Sequence, residues 1–267
     1  MIRDDVQAGP AEGTVRMTVD ADVATILLDR PAKLNALTPE MLDALGAAVE
    51  SVRRSDARVV VVRGAGEKAF CVGADINRFA PLTAVQMWRE WTATGHRVFD
   101  AVAGLRQPTI AVLHGATFGG GLELALACDF RVVAAEAQLG LPEVGLGTVP
   151  GWGGTERLTE LVGRPRAKEV VLARRFLDGE LAYAWGLATT VSPREQLNSA
   201  VDELVTRLLG GAPVAVQLAK QLIDAAAEGA PSRVLEALAG GLSAATEDIK
   251  EGIAAFRERR DPTFSGS

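Results

Sequence analysis

Two glutamates, Glu123 and Glu143, each set beside glycine-rich turns, are the residues of this chain best suited to moving protons. The segment His114 to Asp129 reads HGATFGGGLELALACD. Three consecutive glycines at the mouth of an apolar helix let the backbone approach a ligand closely, and the first helical N–H groups have no partner inside the helix. That makes a site for an oxyanion or another anion. Glu123 falls in the first turn, where the helix dipole favours its carboxylate form. The second segment, Ala137 to Leu158, reads AQLGLPEVGLGTVPGWGGTERL, and Glu143 stands there among few other charges, between Gly140, Gly145 and Gly147. A carboxyl in such surroundings is partly desolvated, which raises its pKa and suits it to donating a proton near neutrality. Taken singly, each segment also has a structural reading: glycines for tight packing, a helix-start acid, a loop acid.

A third segment, Glu67 to Phe79, reads EKAFCVGADINRF; its Gly73-Ala74-Asp75 core can present a backbone N–H at a turn, with Phe70 and Ile76 anchoring the flanks. His96 and His114 belong to no Ser/His/Asp arrangement and are read as structural. Cys71 and Cys128, the only cysteines, carry neither CxxC spacing nor a Cys/His cluster, so reduced core thiols and no metal site are expected. The 267 residues are 48% hydrophobic and 23% charged, the balance of a soluble chain with a large core. Net charge of −6 argues against a dedicated nucleic-acid binder, which needs surplus Lys and Arg. The start carries no secretory pattern and no apolar run is long enough to span a membrane, so a cytoplasmic protein is expected. The first dozen residues read as a polar, mobile lead.

The elements that must hold these residues follow from patterning. Residues 14 to 19 and 23 to 29 alternate around Asp20-Ala21-Asp22 and predict a β-hairpin. Thr38 caps, and Pro39 opens, a helix running to about 54. Val59 to Val62 form a short β-branched strand, followed by loops over 64 to 66 and 70 to 75. A helix over roughly 82 to 104 carries Trp88 and Trp91; Thr109 to Leu113 is a strand, a flexible glycine turn leads into a helix over 121 to 128, and Phe130 to Ala134 is a strand. The alternation predicts an α/β core. Beyond about 194 the pattern is helical, broken at Gly210, Gly211, Pro213, Gly229 and Pro231, and its Ala and Leu faces call for burial against the core or a neighbouring subunit.

In this order, the motifs KAFxxGADI, GxxxGGGxELALxCD and LPExxLGxxPGxGGTxRL resemble the crotonase (enoyl-CoA hydratase/isomerase) family, from DRPAKLNAL at 29 to 37 through AFRERRDPTF at 255 to 264. The resemblance implies a spiral of ββα repeats over residues 1–200 and a helical oligomerisation region over 201–267, assembling as a trimer or a dimer of trimers. It implies an oxyanion hole from the N–H groups of Ala74 and Gly120, with Glu123 activating water and Glu143 delivering a proton to an enoyl-CoA. Ala32, Lys33 and Leu34 match the segment laid along the CoA adenine and pantetheine. Lys68, Ala69, Gly73, Asp75, Ile76 and Gly119 fall in the motifs that hold the substrate, Asp75 also reading as a cap for the following helix. Phe256, Arg259 and Arg260 match an element that reaches CoA phosphates from a neighbouring subunit, with Arg259 where Lys is common. No cofactor is implied, coenzyme A being part of the substrate. The two glutamates favour hydration over enoyl-CoA isomerisation or thioester hydrolysis, and over a non-catalytic or RNA-binding relative. Trp152 departs from the motif, which carries a small residue there; an indole turned outward for packing is the expectation, against one that shortens the acyl pocket.

Overall fold

The computed structural model describes residues 13–267, so the reading of the first dozen residues lies outside the described residues. Strand β1 (Thr14–Asp20) pairs antiparallel with β2 (Val23–Asp29), with Asp20 opposite Val23 across a two-residue turn, so that Asp20, read from the sequence as turn, belongs to the strand. Alternation along β2 buries Ala24, Ile26 and Leu28. They face the helix Pro39–Arg54, whose Thr38 hydroxyl accepts from the Met41 N–H at 3.2 Å and whose Met41, Leu42, Leu45, Val49 and Val52 close the core. Strand β3 (Val59–Gly64) then pairs parallel with β2 and buries all four of its valines, as a strand covered on both faces must.

From β3 through β8 each turn of the chain contributes one strand to each of two sheets, and β9 adds a last strand to the larger. Strands β4 (Ala69–Cys71), β5 (Thr109–Leu113), β6 (Ala116–Phe118), β7 (Phe130–Ala134), β8 (Leu139–Gly140) and β9 (Thr190–Ser192) follow in order. The larger sheet has the order β1-β2-β3-β5-β7-β9 and the smaller β4-β6-β8. Helices intervene between the pairs, so the chain is a spiral of ββα units. The smaller sheet corrects the reading of 70 to 75 as loop and of the glycine stretch before 121 as turn alone: both contain paired strands. Strands of three, three and two residues are too short to show the alternation that marks a strand in a sequence.

The helix expected over 82 to 104 has a break in its winding. A Thr83 capping box opens Ala84–Gln86, a π-helical turn occupies Met87–Thr92, and an α-helix runs Ala93–Ala103. The wider turn places Trp91 in the interior while Trp88 stays 68% exposed. After β9 the helices Leu197–Leu209, Pro213–Ala227, Ser232–Ala244 and Glu247–Glu258 follow, as the sequence pattern indicates. The first spans the expected division at residue 200 and buries Leu197 and Val201 on the core. The second is tied down by Lys220, whose Nζ donates to Asp129 Oδ2 at 2.7 Å and to the Gln107 carbonyl at 3.2 Å. No residue of the second or third is buried, and Ile223, Leu238 and, further on, Phe256 stand exposed. Among the described residues no helix is long and apolar enough to cross a membrane.

Candidate active site

The small parallel sheet is the scaffold of the site. Because its strands run the same way, their C-terminal ends lie side by side, and within three residues of each end stands a candidate group: Ala74 after β4, Gly120 after β6, Glu143 after β8. All three, with Glu123, line one cavity.

Peptide planarity aims the two backbone donors. The Leu37 N–H donates to the Gly73 carbonyl at 2.7 Å, so the Ala74 N–H of the same trans peptide points the opposite way. The Glu123 N–H donates to the Gly119 carbonyl at 3.0 Å, which turns the Gly120 N–H out of the helix Gly120–Leu126. Neither N–H has a protein acceptor among the described residues.

The two carboxyls sit in unlike surroundings. Glu123 is 2% exposed, and its Oε1 accepts from the Trp152 N–H at 2.8 Å and the Gly154 N–H at 2.9 Å. Burial pushes its pKa up, while the backbone N–H groups of Trp152, Gly154 and Gly151 and the charge of Arg157 favour the anion. Glu143 opens a single 3-10 turn, Glu143–Leu146, and its buried Oε2 has no partner among the described residues. Burial, reinforced by the nearby Glu123 carboxylate, raises Glu143 to about 7. The two carboxyls therefore differ in their donors: three backbone N–H groups favour the Glu123 anion, whereas only its own backbone N–H favours that of Glu143.

A raised folded-state pKa has a stability consequence. The proton on Glu143 is held more tightly folded than unfolded, so its contribution is fully present below the ordinary value of 4.5 and is lost as pH rises through about 7. Glu143→Gln is expected to match wild type in Tm at pH 4.5 and to exceed it by roughly 2–4 °C at pH 8, measured by thermal denaturation. A gain of equal size at both pH values would show that this titration is not its source.

Apolar side chains make the remaining wall. Ile76, Phe79, Met87, Trp91, Val149 and Trp152 line the cavity. The Trp152 indole is 3% exposed and packs 5.4 Å from Trp91 and edge-on at 5.2 Å to Phe99. It is a packing residue, as the sequence reading has it, but turned inward rather than outward, and it forms part of the cavity floor. Gly95 makes this possible: a methyl group there would lie 2.2 Å from the indole.

A second cavity is bounded by Ala32, Leu34, Lys68 and Ala69. Lys33 is on the same 3-10 turn, Pro31–Lys33, outside that lining. Gly73, Ile76 and Gly119 line the first cavity. Asp75 is buried, and both its oxygens are engaged within the fold: Oδ1 caps the Ile76–Phe79 helix through the Asn77 N–H at 3.0 Å, and Oδ2 accepts from Arg30 Nη1 at 2.7 Å. Phe256 and Arg259, at the end of the last helix, line neither cavity, and Arg260 is ion-paired with Glu251 and Glu258. His96 lies 3.5 Å from Asp100, and His114 Nε2 is buried without a partner among the described residues. Both thiols are buried and free, their pKa values pushed to about 12 by burial. The sequence reading missed Arg30 and Asn35. Asn35 has φ of 57° and its Nδ2 donates to the carbonyls of Ala65, Ala69 and Phe70; the available signal was an Asn and an Arg between a strand and a helix cap.

Residues 18–267 match the model of the enoyl-CoA hydratase/isomerase family. The chain is 38% identical over 248 residues to a crotonyl-CoA hydratase of Syntrophomonas wolfei, covering 91% of this chain and 94% of the relative. It is 35% identical to a short-chain-enoyl-CoA hydratase of Clostridium acetobutylicum, over 90% of this chain and 93% of that one. The crystal structure of an enoyl-CoA hydratase from Bacillus anthracis superposes with a TM-score of 0.90 at 35% identity, covering 95% of this chain and 99% of that one. With its spiral fold and its paired glutamates in the register of the family's motifs, the chain belongs to the enoyl-CoA hydratase/isomerase family.

Proposed function

We propose that this enzyme adds water syn across the 2,3 double bond of a 2-enoyl-CoA to give the 3-hydroxyacyl-CoA. The observation that carries the reading is the convergence of two carboxyls of unlike environment and two unpaired backbone N–H groups on one cavity. The thioester oxygen accepts from the Ala74 and Gly120 N–H groups, which draws electron density from C3. Glu123, as carboxylate, takes a proton from water as the water oxygen bonds to C3. The negative charge that develops on the thioester oxygen is held by the two N–H groups, and Glu143 donates its proton to C2. Glu123 is left protonated and Glu143 ionised, and proton exchange restores the resting pair. Isomerisation within the family's chemistry needs only one of these acids; the second favours hydration.

The second cavity, with Lys68 at its edge, takes the nucleotide end of CoA. No cofactor enters the scheme. The exposed apolar residues of the C-terminal helices support assembly through residues 201–267, as a trimer or a dimer of trimers, with Phe256 and Arg259 offered to a neighbouring subunit's CoA. Free buried thiols suit a reducing compartment, and the cytoplasm is the proposed location.

Loss of ultraviolet absorbance on adding the protein to crotonyl-CoA tests the reading; no hydration of enoyl-CoAs from short to long chain would overturn it. Because Glu143 must be protonated, kcat is expected to fall as pH rises through about 7. The floor set by Trp152 limits the chain beyond C3. Trp152→Ala is expected to raise the kcat/KM of a twelve-carbon enoyl-CoA relative to crotonyl-CoA by about 10-fold or more. An unchanged ratio would show that the acyl chain runs elsewhere.

A further inference from the structure

One segment lines the second cavity and braces a turn that lines the first. Residues 30 to 37 supply Pro31, Ala32 and Leu34 to the second cavity, and the same segment grips the turn that carries the Ala74 N–H. The Val72 N–H donates to the Leu34 carbonyl at 3.2 Å, the Leu37 N–H to the Gly73 carbonyl at 2.7 Å, and the Asp75 N–H to the Leu37 carbonyl at 2.8 Å. Ala74 is therefore held on both flanks by Leu37. Only one buried side-chain clamp among the described residues links these two pieces ionically: Arg30 Nη1 donates to Asp75 Oδ2 at 2.7 Å and to the Ala36 carbonyl at 3.0 Å, the two side chains being 10% and 11% exposed. The loop between them is tied to the same unit by Asn35, whose Oδ1 accepts from the Arg30 N–H at 2.9 Å.

Burial pushes the Asp75 carboxyl up, but Arg30 and the Asn77 N–H outweigh it and hold the group below its ordinary range. The guanidinium is thus the charge that allows a carboxylate to sit one residue beyond the oxyanion donor. A planar guanidinium whose Nη1 donates to two acceptors fixes direction as well as distance, which a point charge would not. Small errors in the aim of an oxyanion donor cost rate rather than affinity, because the donor acts on charge that develops only in the transition state.

We infer that the Arg30–Asp75 clamp couples occupancy of the second cavity to the aim of the Ala74 N–H, making Arg30 a positioning residue through which the nucleotide end of the substrate raises kcat. The coupling rests on the hydration reading for its role in turnover, but the geometry it predicts is measurable without turnover.

The test compares thioesters of CoA with thioesters of pantetheine alone, in wild type, Arg30→Met and Asp75→Asn. The asparagine keeps an oxygen to cap the Asn77 N–H while removing the charge, so it guards against a methionine variant that fails to fold. The direct readout is a bound dimethylaminocinnamoyl thioester, whose absorption moves to the red when its carbonyl is polarised. In wild type the CoA form is expected to shift further than the pantetheine form; in both variants the CoA form is expected to fall back to the pantetheine value. With enoyl-CoA as substrate, kcat is expected to drop about 30-fold while KM stays within about 3-fold. Equal shifts for the two thioesters in wild type, or an equal loss for both in the variants, would overturn the coupling. So would unchanged spectra in the variants, or a rise in KM alone. A wild-type protein that shows the expected shifts yet hydrates no enoyl-CoA would end the hydration reading and leave the coupling standing.

Discussion

Glu123→Gln is expected to lower kcat for crotonyl-CoA by about 10³-fold, about 4 kcal/mol of barrier, with little change in KM. The substitution is nearly isosteric. A glutamine Oε1 can still accept the Trp152 and Gly154 N–H groups that lie 2.8 and 2.9 Å from the glutamate oxygen, so the turn after Pro150 keeps its anchor. What disappears is the second oxygen's capacity to take a proton from water. The proposed scheme places the nucleotide end of CoA in the other cavity, so CoA binding is expected to persist. The comparison with Glu143→Gln carries the division of labour. In the proposed scheme Glu143 is the proton donor, which a glutamine cannot replace, so its variant is expected to lose the fall in kcat above about pH 7 along with most of its rate. Full activity in either variant would sink the two-acid mechanism; retention of the pH dependence in Glu143→Gln would reassign that titration.

The chemistry was more legible in the sequence than the framework that assembles it. Glu123 and Glu143 were picked out by their glycine-rich surroundings together with the register of their motifs with one family, and the hairpin, the Thr38 cap and the valine strand follow from local patterning. The strands β4, β6 and β8 left no such trace, since eight residues spread over three segments have no periodicity to read. Their contribution is long-range: parallel pairing brings together Ala74, Gly120 and Glu143, which are far apart in sequence. The orientation of Trp152 was likewise undecidable from PGWGG alone. It depends on Gly95, in a different helix, leaving the space that the indole fills. Arg30 and Asn35 were passed over because their partners, Asp75 and the carbonyls of Ala65, Ala69 and Phe70, are 30 or more residues away.

That indole also makes Gly120, the proposed oxyanion donor, intolerant of a side chain, and Gly120→Ala is expected to lower kcat by about 10²-fold or more. A methyl group at position 120 would lie 2.4 Å from Trp152 Cζ3 and 2.6 Å from Cε3, inside any real contact distance. The ring cannot retreat, since it is 3% exposed and wedged between Trp91, Phe99 and Gly95. The backbone at 120 must move instead, and its N–H moves with it, away from the thioester oxygen that the proposed scheme gives it. Against the opposite face the methyl group would be unremarkable, 3.6 Å from Gly73 Cα. Removing the ring should therefore undo most of the damage: Gly120→Ala in a Trp152→Ala background is expected to recover at least about 10-fold in kcat over Gly120→Ala alone, a coupling that independent sites would not show. Steady-state rates on crotonyl-CoA for the two single variants, the double variant and wild type complete the cycle. Additive losses would mean that Gly120 is sensitive for a reason other than the indole, and a fully active Gly120→Ala would mean that its N–H does not hold the thioester oxygen.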